Sequence, residues 1–294
     1  MTTTLADDFP RTPLAASGGV TLQTVAEGPE DGPLVLLLHG FPESATEWRR
    51  LIPPLVEAGY RVLAPDQRGY ADSDKPGAVG DYVLDRLAED AIALAAGQGR
   101  ERFSVVGHDW GAAVTWHLLS RSPERLERAT VLNVPHPAVL LRTLRDDPEQ
   151  RKRSAYITLF RKEGWAESLL KLFGFRMLKK AFASAARPYP DALLETYRRQ
   201  WSRPGALTGM LSWYRALNPK TVRDPGPGRI ATPVLILWGD RDVALTPATA
   251  DASAELCADV RLRRFPEASH WLPNDEPEAV AQEVLNFLAE GRGG

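Results

Sequence analysis

The sequence predicts an α/β protein in which a mostly parallel sheet is flanked by helices and interrupted by one long helical segment. Three observations carry this. Short apolar runs alternate with helix-length stretches through the first 136 residues, the alternation stops between residues 137 and 229, and it then resumes to the C-terminus. Alternation of this kind is the pattern of a parallel sheet, whose crossover connections are helices packed on its faces.

The run Leu34-Val35-Leu36-Leu37-Leu38, ending in His39-Gly40, is continuously apolar and reads as a strand buried on both faces. A helix is predicted over residues 44–58, with Gly59 as its stop. Residues 61–64 form the next strand, and 84–96 the next helix, ended by Gly97 and Gly99. Residues 103–106 are a strand, 112–119 a helix and 129–132 a strand. Residues 137–229 show helical patterning only and hold 11 of the 24 aromatic residues. They carry 19 Lys and Arg against 8 Asp and Glu, a balance of +11, while the remainder sums to −13. Such a balance either attracts anionic substrates or reflects solvated helix faces paired with the acidic core, the reading given more weight. Pro225-Gly226-Pro227-Gly228 closes the segment like a linker. Strands resume at residues 233–238 and 260–262, and an amphipathic helix over 276–290 ends the chain.

The composition is that of a globular chain: 294 residues, 44% hydrophobic and 25% charged. A net charge of −2 gives no sign of a nucleic-acid partner, and no Cys/His spacing suits zinc. One cysteine, Cys257, excludes an intrachain disulfide and agrees with a reducing compartment. Residues 1–12 are polar, include Asp7 and Asp8, and lack the apolar stretch of a signal peptide. The run at 34–38 is too short to span a bilayer. A soluble, cytoplasmic protein without a membrane partner is expected; whether it is a homodimer is open.

The chemistry concentrates in Gly107-His108-Asp109-Trp110-Gly111, which follows a strand and opens a helix. The G-x-S-x-G elbow occupies that context, its glycines allowing the sharp turn that exposes the middle residue. Here the middle residue is Asp109. A carboxylate is ionised at neutral pH and can attack an electrophilic sp³ carbon without a base, giving an alkyl ester. Asp is also a favoured helix cap, and on the pentapeptide alone the two roles are evenly matched. An ester must then be hydrolysed. His270, in Glu267-Ala268-Ser269-His270-Trp271, is the candidate base. The loop Gly239-Asp240-Arg241-Asp242 offers its orienting acid, and the chain order nucleophile, acid, histidine suits this arrangement.

With these motifs the chain resembles the epoxide hydrolase branch of the α/β-hydrolase superfamily. The matching stretches are His39-Gly40-Phe41-Pro42-Glu43-Ser44, Asp66-Gln67-Arg68-Gly69-Tyr70, Gly107 to Ala112, Trp238 to Asp242, and Ser269-His270-Trp271. The resemblance runs from about residue 18 to 288. It implies the α/β-hydrolase fold with a helical lid, residues 137–229, inserted after the sixth strand into a core of residues 1–136 and 230–294. It implies Asp242 rather than Asp240 as the acid, and backbone N–H groups of Phe41 and Trp110 as the oxyanion hole. It also implies two lid tyrosines that hold the epoxide oxygen, matched by Tyr156 in Ser154-Ala155-Tyr156 and Tyr214 in Ser212-Trp213-Tyr214-Arg215. A neutral phenol suits that role because it donates to a developing alkoxide. The alternative for both is an ordinary lid-core aromatic.

The implied reaction converts a small, largely apolar epoxide and water to a vicinal diol, without metal or organic cofactor. A haloalkane or haloacid dehalogenase would share Asp109 and His270, and Trp110 suits a halide ligand. That branch commonly has Asn where this chain has Phe41, and Ala113 leaves no arginine near the nucleophile to grip a haloacid. A third reading is a non-catalytic ligand-binding protein on the same scaffold. Position 109 lacks the hydroxyl of a serine esterase. His39, His108 and His136 read as structural or pocket-lining residues.

Overall fold

The computed structural model describes residues 9–292; most of the N-terminal stretch expected to lack a signal peptide, residues 1–8, lies outside them. Eight strands form one sheet in the order β1-β2-β4-β3-β5-β6-β7-β8. They are β1 Thr12–Ala15, β2 Thr21–Glu27, β3 Leu34–Leu38, β4 Arg61–Pro65, β5 Phe103–His108, β6 Leu126–Leu132, β7 Val234–Gly239 and β8 Val260–Phe265. β1 pairs antiparallel with β2, and β2 antiparallel with β4. All other pairs are parallel. Every residue of β3, β5 and β7 is buried, as the apolar runs of β3 and β7 require. β8, with the sequence Val-Arg-Leu-Arg-Arg-Phe, is partly exposed and closes one edge with charge, which discourages pairing with a further strand.

The helices are α1 Ile52–Glu57, α2 Leu84–Gly97, α3 Trp110–Arg121, α4 Pro137–Asp146, α5 Pro148–Arg153, α6 Tyr156–Phe160, α7 Trp165–Ala181, α8 Asp191–Trp201, α9 Ala206–Ala216, α10 Ala248–Ala254, α11 Leu272–Asp275 and α12 Pro277–Ala289. Two differences from the sequence reading have clear causes. The helix expected over 44–58 is instead a 3₁₀ segment, Ala45–Arg50, followed by α1. Pro53 and Pro54 lack the N–H that a continuous helix would need, and they fall in the first turn of α1, where that N–H has no partner to lose. The strands β1 and β2 went unread because they are antiparallel, half-exposed and mixed in polarity.

Between β6 and β7 the described residues form only helices and loops, α4 to α9. Their aromatics tie this segment to the sheet's connecting loops. The indole N–H of Trp201 donates to the Pro42 carbonyl at 2.6 Å, and that of Trp213 to the Arg68 carbonyl at 3.0 Å. Buried Tyr197, Trp201, Trp213 and Tyr214 belong to the same apolar core as Leu36, Val105 and Ile236 of the sheet. The insert's aromatic richness is therefore a packing requirement: it buries its own apolar face against the strand ends where the polar loops lie. Among the described residues, no helix is long and apolar enough to cross a membrane.

Candidate active site

β5 ends at His108 and α3 begins at Trp110, leaving Asp109 alone in the turn with φ 46° and ψ −116°. Positive φ is costly for a residue with a Cβ, and such residues persist where the surroundings over-determine them. Here the surroundings are glycines. A Cβ at Gly111 would lie 1.9 Å from the Leu38 carbonyl oxygen, and one at Gly40 would lie 2.5 Å from the Asp109 Cβ. The elbow thus depends on two segments of the chain approaching to backbone distance. Asp109 stands at the N-cap position of α3, but its side chain makes no capping bond to the helix. Its Oδ1 instead accepts the Phe41 N–H at 2.7 Å. Trp110 is the first residue of α3, so its N–H has no carbonyl one turn earlier to bond.

His270, in the loop between β8 and α11, faces Asp109 from the other side, with Nε2 3.5 Å from Oδ2. Its Nδ1 lies 2.7 Å from Asp242 Oδ2. Asp242 is buried and saturated with donors: its Oδ1 accepts the N–H groups of Ala244 and Leu245, and its Oδ2 also accepts Asn133 Nδ2. Burial opposes a charge on the His270 ring, but Asp242 and Asp109 outweigh it and hold its pKa well above the usual histidine value. For Asp109, burial favours the neutral acid, but hydrogen bonding and charge from His270, charge from His108 and the Phe41 N–H win, so its pKa falls below the ordinary carboxylate value. The nucleophile candidate is ionised and the base candidate carries a proton while Asp109 is unmodified.

Of the histidines, His39 and His136 behave structurally. His39 bonds the Gly40 carbonyl through Nδ1 and accepts the Gln67 N–H through Nε2, and burial lowers its pKa. His136 caps α4 by accepting the Ala138 N–H, and burial pushes its pKa down to about 4. His108 is more engaged than a pocket lining. It is fully buried, its Nε2 lies 2.8 Å from the His270 carbonyl, and its Nδ1 lies 2.7 Å from Glu47. Both partners offer acceptor oxygens, an arrangement that favours the imidazolium form. Burial opposes that charge, yet Glu47 raises the pKa. Glu47 in turn accepts the Gly40 N–H at 2.9 Å, joining the elbow, the first loop and the His270 loop.

Glu43, Glu47 and His108 are the one cluster of metal-type donors found among the described residues. Most of these groups already have protein partners: Glu43 Oε1 accepts the hydroxyls of Tyr189 and Tyr197, Glu47 Oε2 accepts the Gly40 N–H and Glu47 Oε1 lies 2.7 Å from His108 Nδ1, while Glu43 Oε2 has no hydrogen-bond partner among the described residues. Burial and the charge of Glu47 push the Glu43 pKa up to about 8, so it is largely protonated at neutral pH. A neutral acid hydrogen-bonded to two phenols suits a lid anchor better than a metal ligand. Asp240 pairs with Arg264 at 2.6 Å and stays outside the constellation.

The sequence reading missed two supports. Asn133, at the end of β6 with φ 50°, donates to the Gly239 carbonyl and to Asp242 Oδ2, and accepts the Gly239 N–H. Glu47 was lost inside the region read as helix. An Asn directly after an apolar strand, adjacent in the sheet to the acid-bearing strand, is the signal that would have found the first.

Tyr156 opens α6 and Tyr214 lies in α9, and their rings are 6.2 Å apart, edge to face. Tyr214 is buried, packed edge-on against Trp110 and Phe41 at 5.0 and 5.2 Å, whereas Tyr156 is 38% exposed. Burial above all for Tyr214, and for both phenols the negative charge of Asp109, hold them protonated beyond the ordinary tyrosine range. Two apolar cavities meet here. One, of about 300 Å³, is bounded by Phe41, Leu178, His270 and Trp271. The other, of about 100 Å³, is bounded by Trp110, Val134, Leu140 and Ile157. Asp109, Tyr156 and Tyr214 line both.

Comparison with known proteins agrees with this geometry. The family model described as the alpha/beta hydrolase fold matches residues 33–277. The chain is 41% identical to the AB hydrolase superfamily protein YfhM of Bacillus subtilis, over 92% of this chain and 96% of that one. It is 34% identical to Epoxide hydrolase A of Mycobacterium tuberculosis, over 94% and 96%. Among solved structures, the Bacillus megaterium epoxide hydrolase in complex with an inhibitor superimposes with a TM-score of 0.86 at 29% identity, covering 95% of this chain and all of that one. The chain belongs to the α/β-hydrolase fold family, in the branch that holds the epoxide hydrolases.

Proposed function

We propose that the protein is an epoxide hydrolase that works through a covalent ester on Asp109, with residues 137–229 acting as its lid. The observation that carries this reading is the convergence of a buried carboxylate and two protonated phenols on one apolar space. In the first step Asp109 Oδ2 bonds to an epoxide carbon and the carbon–oxygen bond of the ring breaks. Tyr156 and Tyr214 hydrogen-bond the departing oxygen and supply its proton. Alkylation removes the negative charge of Asp109, so His270 loses one of the two anions that hold its proton, gives that proton to the tyrosinate left by ring opening, and becomes a neutral base. It then takes a proton from water, whose oxygen attacks the ester carbonyl. Oδ1, beside the Phe41 N–H at 2.7 Å, becomes the oxyanion, which Phe41 and Trp110 stabilise. Collapse of the tetrahedral adduct breaks the ester C–O bond, and the acid's proton passes to the leaving alkoxide, which returns the carboxylate and releases the diol.

The two cavities suit an epoxide with an apolar substituent on each side of the ring, the bulkier one on the His270 side. Replacing His270 by Gln removes the base and leaves alkylation intact. Incubation of that variant with an aryl epoxide is expected to raise the intact protein mass by the mass of the epoxide; an unchanged mass, with the fold retained, refutes the ester. One observation favours a second reading: Trp110 lines the smaller cavity beside Asp109, where a halide could lie. Phe41 replaces the Asn that would complete a halide pair, so haloalkanes are expected to release little halide while epoxides give diol.

A further inference from the structure

The lid carries exposed apolar and aromatic side chains that the catalytic reading does not use. Trp165 is 80% and Phe173 83% exposed, Leu172 49% and Met177 43%. All four belong to α7. Trp165 and Leu172 are seven residues apart, two helical turns, and so share a face. The helix then breaks: Phe173, Gly174 and Phe175 all take positive φ, and Phe175 turns inward while Leu172 and Phe173 stay outside. Holding two non-glycine residues in that region is unfavourable, and the conformation leaves a phenyl ring in water with no intramolecular contact to reward it.

The charge around these side chains is predominantly positive. Lys162, Lys171, Arg176 and Lys180 are exposed and form no ion pair among the described residues. The acids of this stretch are Glu163, exposed, and Glu167, which is taken up by Arg215. The pattern continues at the scale of the chain, with +11 in residues 137–229 and −13 elsewhere, which orients the molecule lid-first toward a negative surface. The patch also adjoins the substrate's route. Met177, Tyr156 and Val243 are exposed and at the same time line the larger apolar cavity.

We propose that the α7 face of the lid, with Trp165, Leu172 and Phe173 as its apolar contacts and Lys162, Lys171, Arg176 and Lys180 as its charged rim, docks reversibly on an anionic lipid surface. Trp and Phe inserted at headgroup level, ringed by Lys and Arg, are the side chains such a surface binds. An isologous contact between two copies fits less well, because it would bring the two unpaired cationic rims together. The expectation of no membrane partner came from the absence of spanning segments, which does not bear on peripheral docking. The consequence for substrate, that an apolar epoxide dissolved in lipid enters past Met177, rests on the proposed function; the docking itself does not.

The test uses the full chain with sucrose-loaded vesicles of phosphatidylcholine, alone or mixed with phosphatidylglycerol. The protein is expected to cosediment with the mixed vesicles at low salt and to be released as salt screens the charges. Trp165→Ser/Phe173→Ser and Lys171→Glu/Arg176→Glu are each expected to lower the bound fraction at least about tenfold. Diol formation from a small water-soluble epoxide should be unchanged in both, since none of the four residues lines a cavity. Absence of cosedimentation, or equal binding by the variants, overturns the proposal. A dimer in sedimentation velocity that Phe173→Ser dissociates would assign the face to a second copy and overturn it equally. Vesicle binding by a chain that hydrolyses no epoxide would leave the docking standing and remove only the proposed function.

Discussion

Replacing Asp109 by Asn imitates the ester electrostatically, since both are neutral and nearly the same shape, and it isolates the switch on which turnover depends. In the unmodified protein His270 lies between two carboxylates, at 2.7 Å from Asp242 and 3.5 Å from Asp109. A unit charge at 3.5 Å is worth about 5 kcal/mol at an effective dielectric constant of about 20, and about 1 kcal/mol in bulk water. Loss of the Asp109 charge therefore lowers the His270 pKa, which Asp109 helps to hold above the usual histidine value. The sign follows from the chemistry: an imidazolium near an anion keeps its proton to higher pH, so removing the anion moves the titration to lower pH. The assay is an NMR titration of the His270 ring nitrogens in the wild type and in Asp109→Asn. An unchanged titration would falsify the idea that alkylation converts His270 from acid form to base. The same switch predicts that ester hydrolysis, measured in single turnover, acquires an acid limb below the pKa of the wild-type imidazole, while ester formation does not follow that limb.

Tyr214→Phe removes one donor to the epoxide oxygen and should slow ring opening about 10²- to 10³-fold with little change in melting temperature, and unchanged burst kinetics would strip the residue of that role. Asn133→Ala leaves the Gly239 N–H and one lone pair of Asp242 without partners in a buried site; a loss of about 2–4 kcal/mol in urea unfolding is expected, together with slower ester hydrolysis. His136, with its pKa depressed to about 4 by burial, resists the proton that the unfolded chain accepts below about 6.5, so stability should fall as pH drops through that window. Between pH 7 and 5 this contributes about 2 kcal/mol, which His136→Gln, keeping a cap acceptor, should largely abolish.

The parallel strands were legible because burial on both faces demands unbroken apolar runs, which β3 and β7 supply. Chain order and local motif were enough to nominate Asp109, His270 and Asp242, since each follows the end of a strand and strand ends converge on one edge of a parallel sheet. The sequence could not decide between cap and nucleophile at Asp109, because both need the same residue at the same turn. Tertiary structure supplies what the sequence lacks: the carboxylate turns toward Phe41 and His270 rather than toward the N–H groups of α3, which is the arrangement the proposed nucleophile needs. It also decided what holds the site: Asn133 and His108 act across separations of 106 and 162 residues, which no local pattern encodes. The same holds for Phe173, whose exposure comes from a left-handed turn in the middle of a segment that reads as helix. What the sequence determined by itself was the period of burial and the chemical type at each strand end; what required the fold was which of those ends, brought to within 3.5 Å, share a charge.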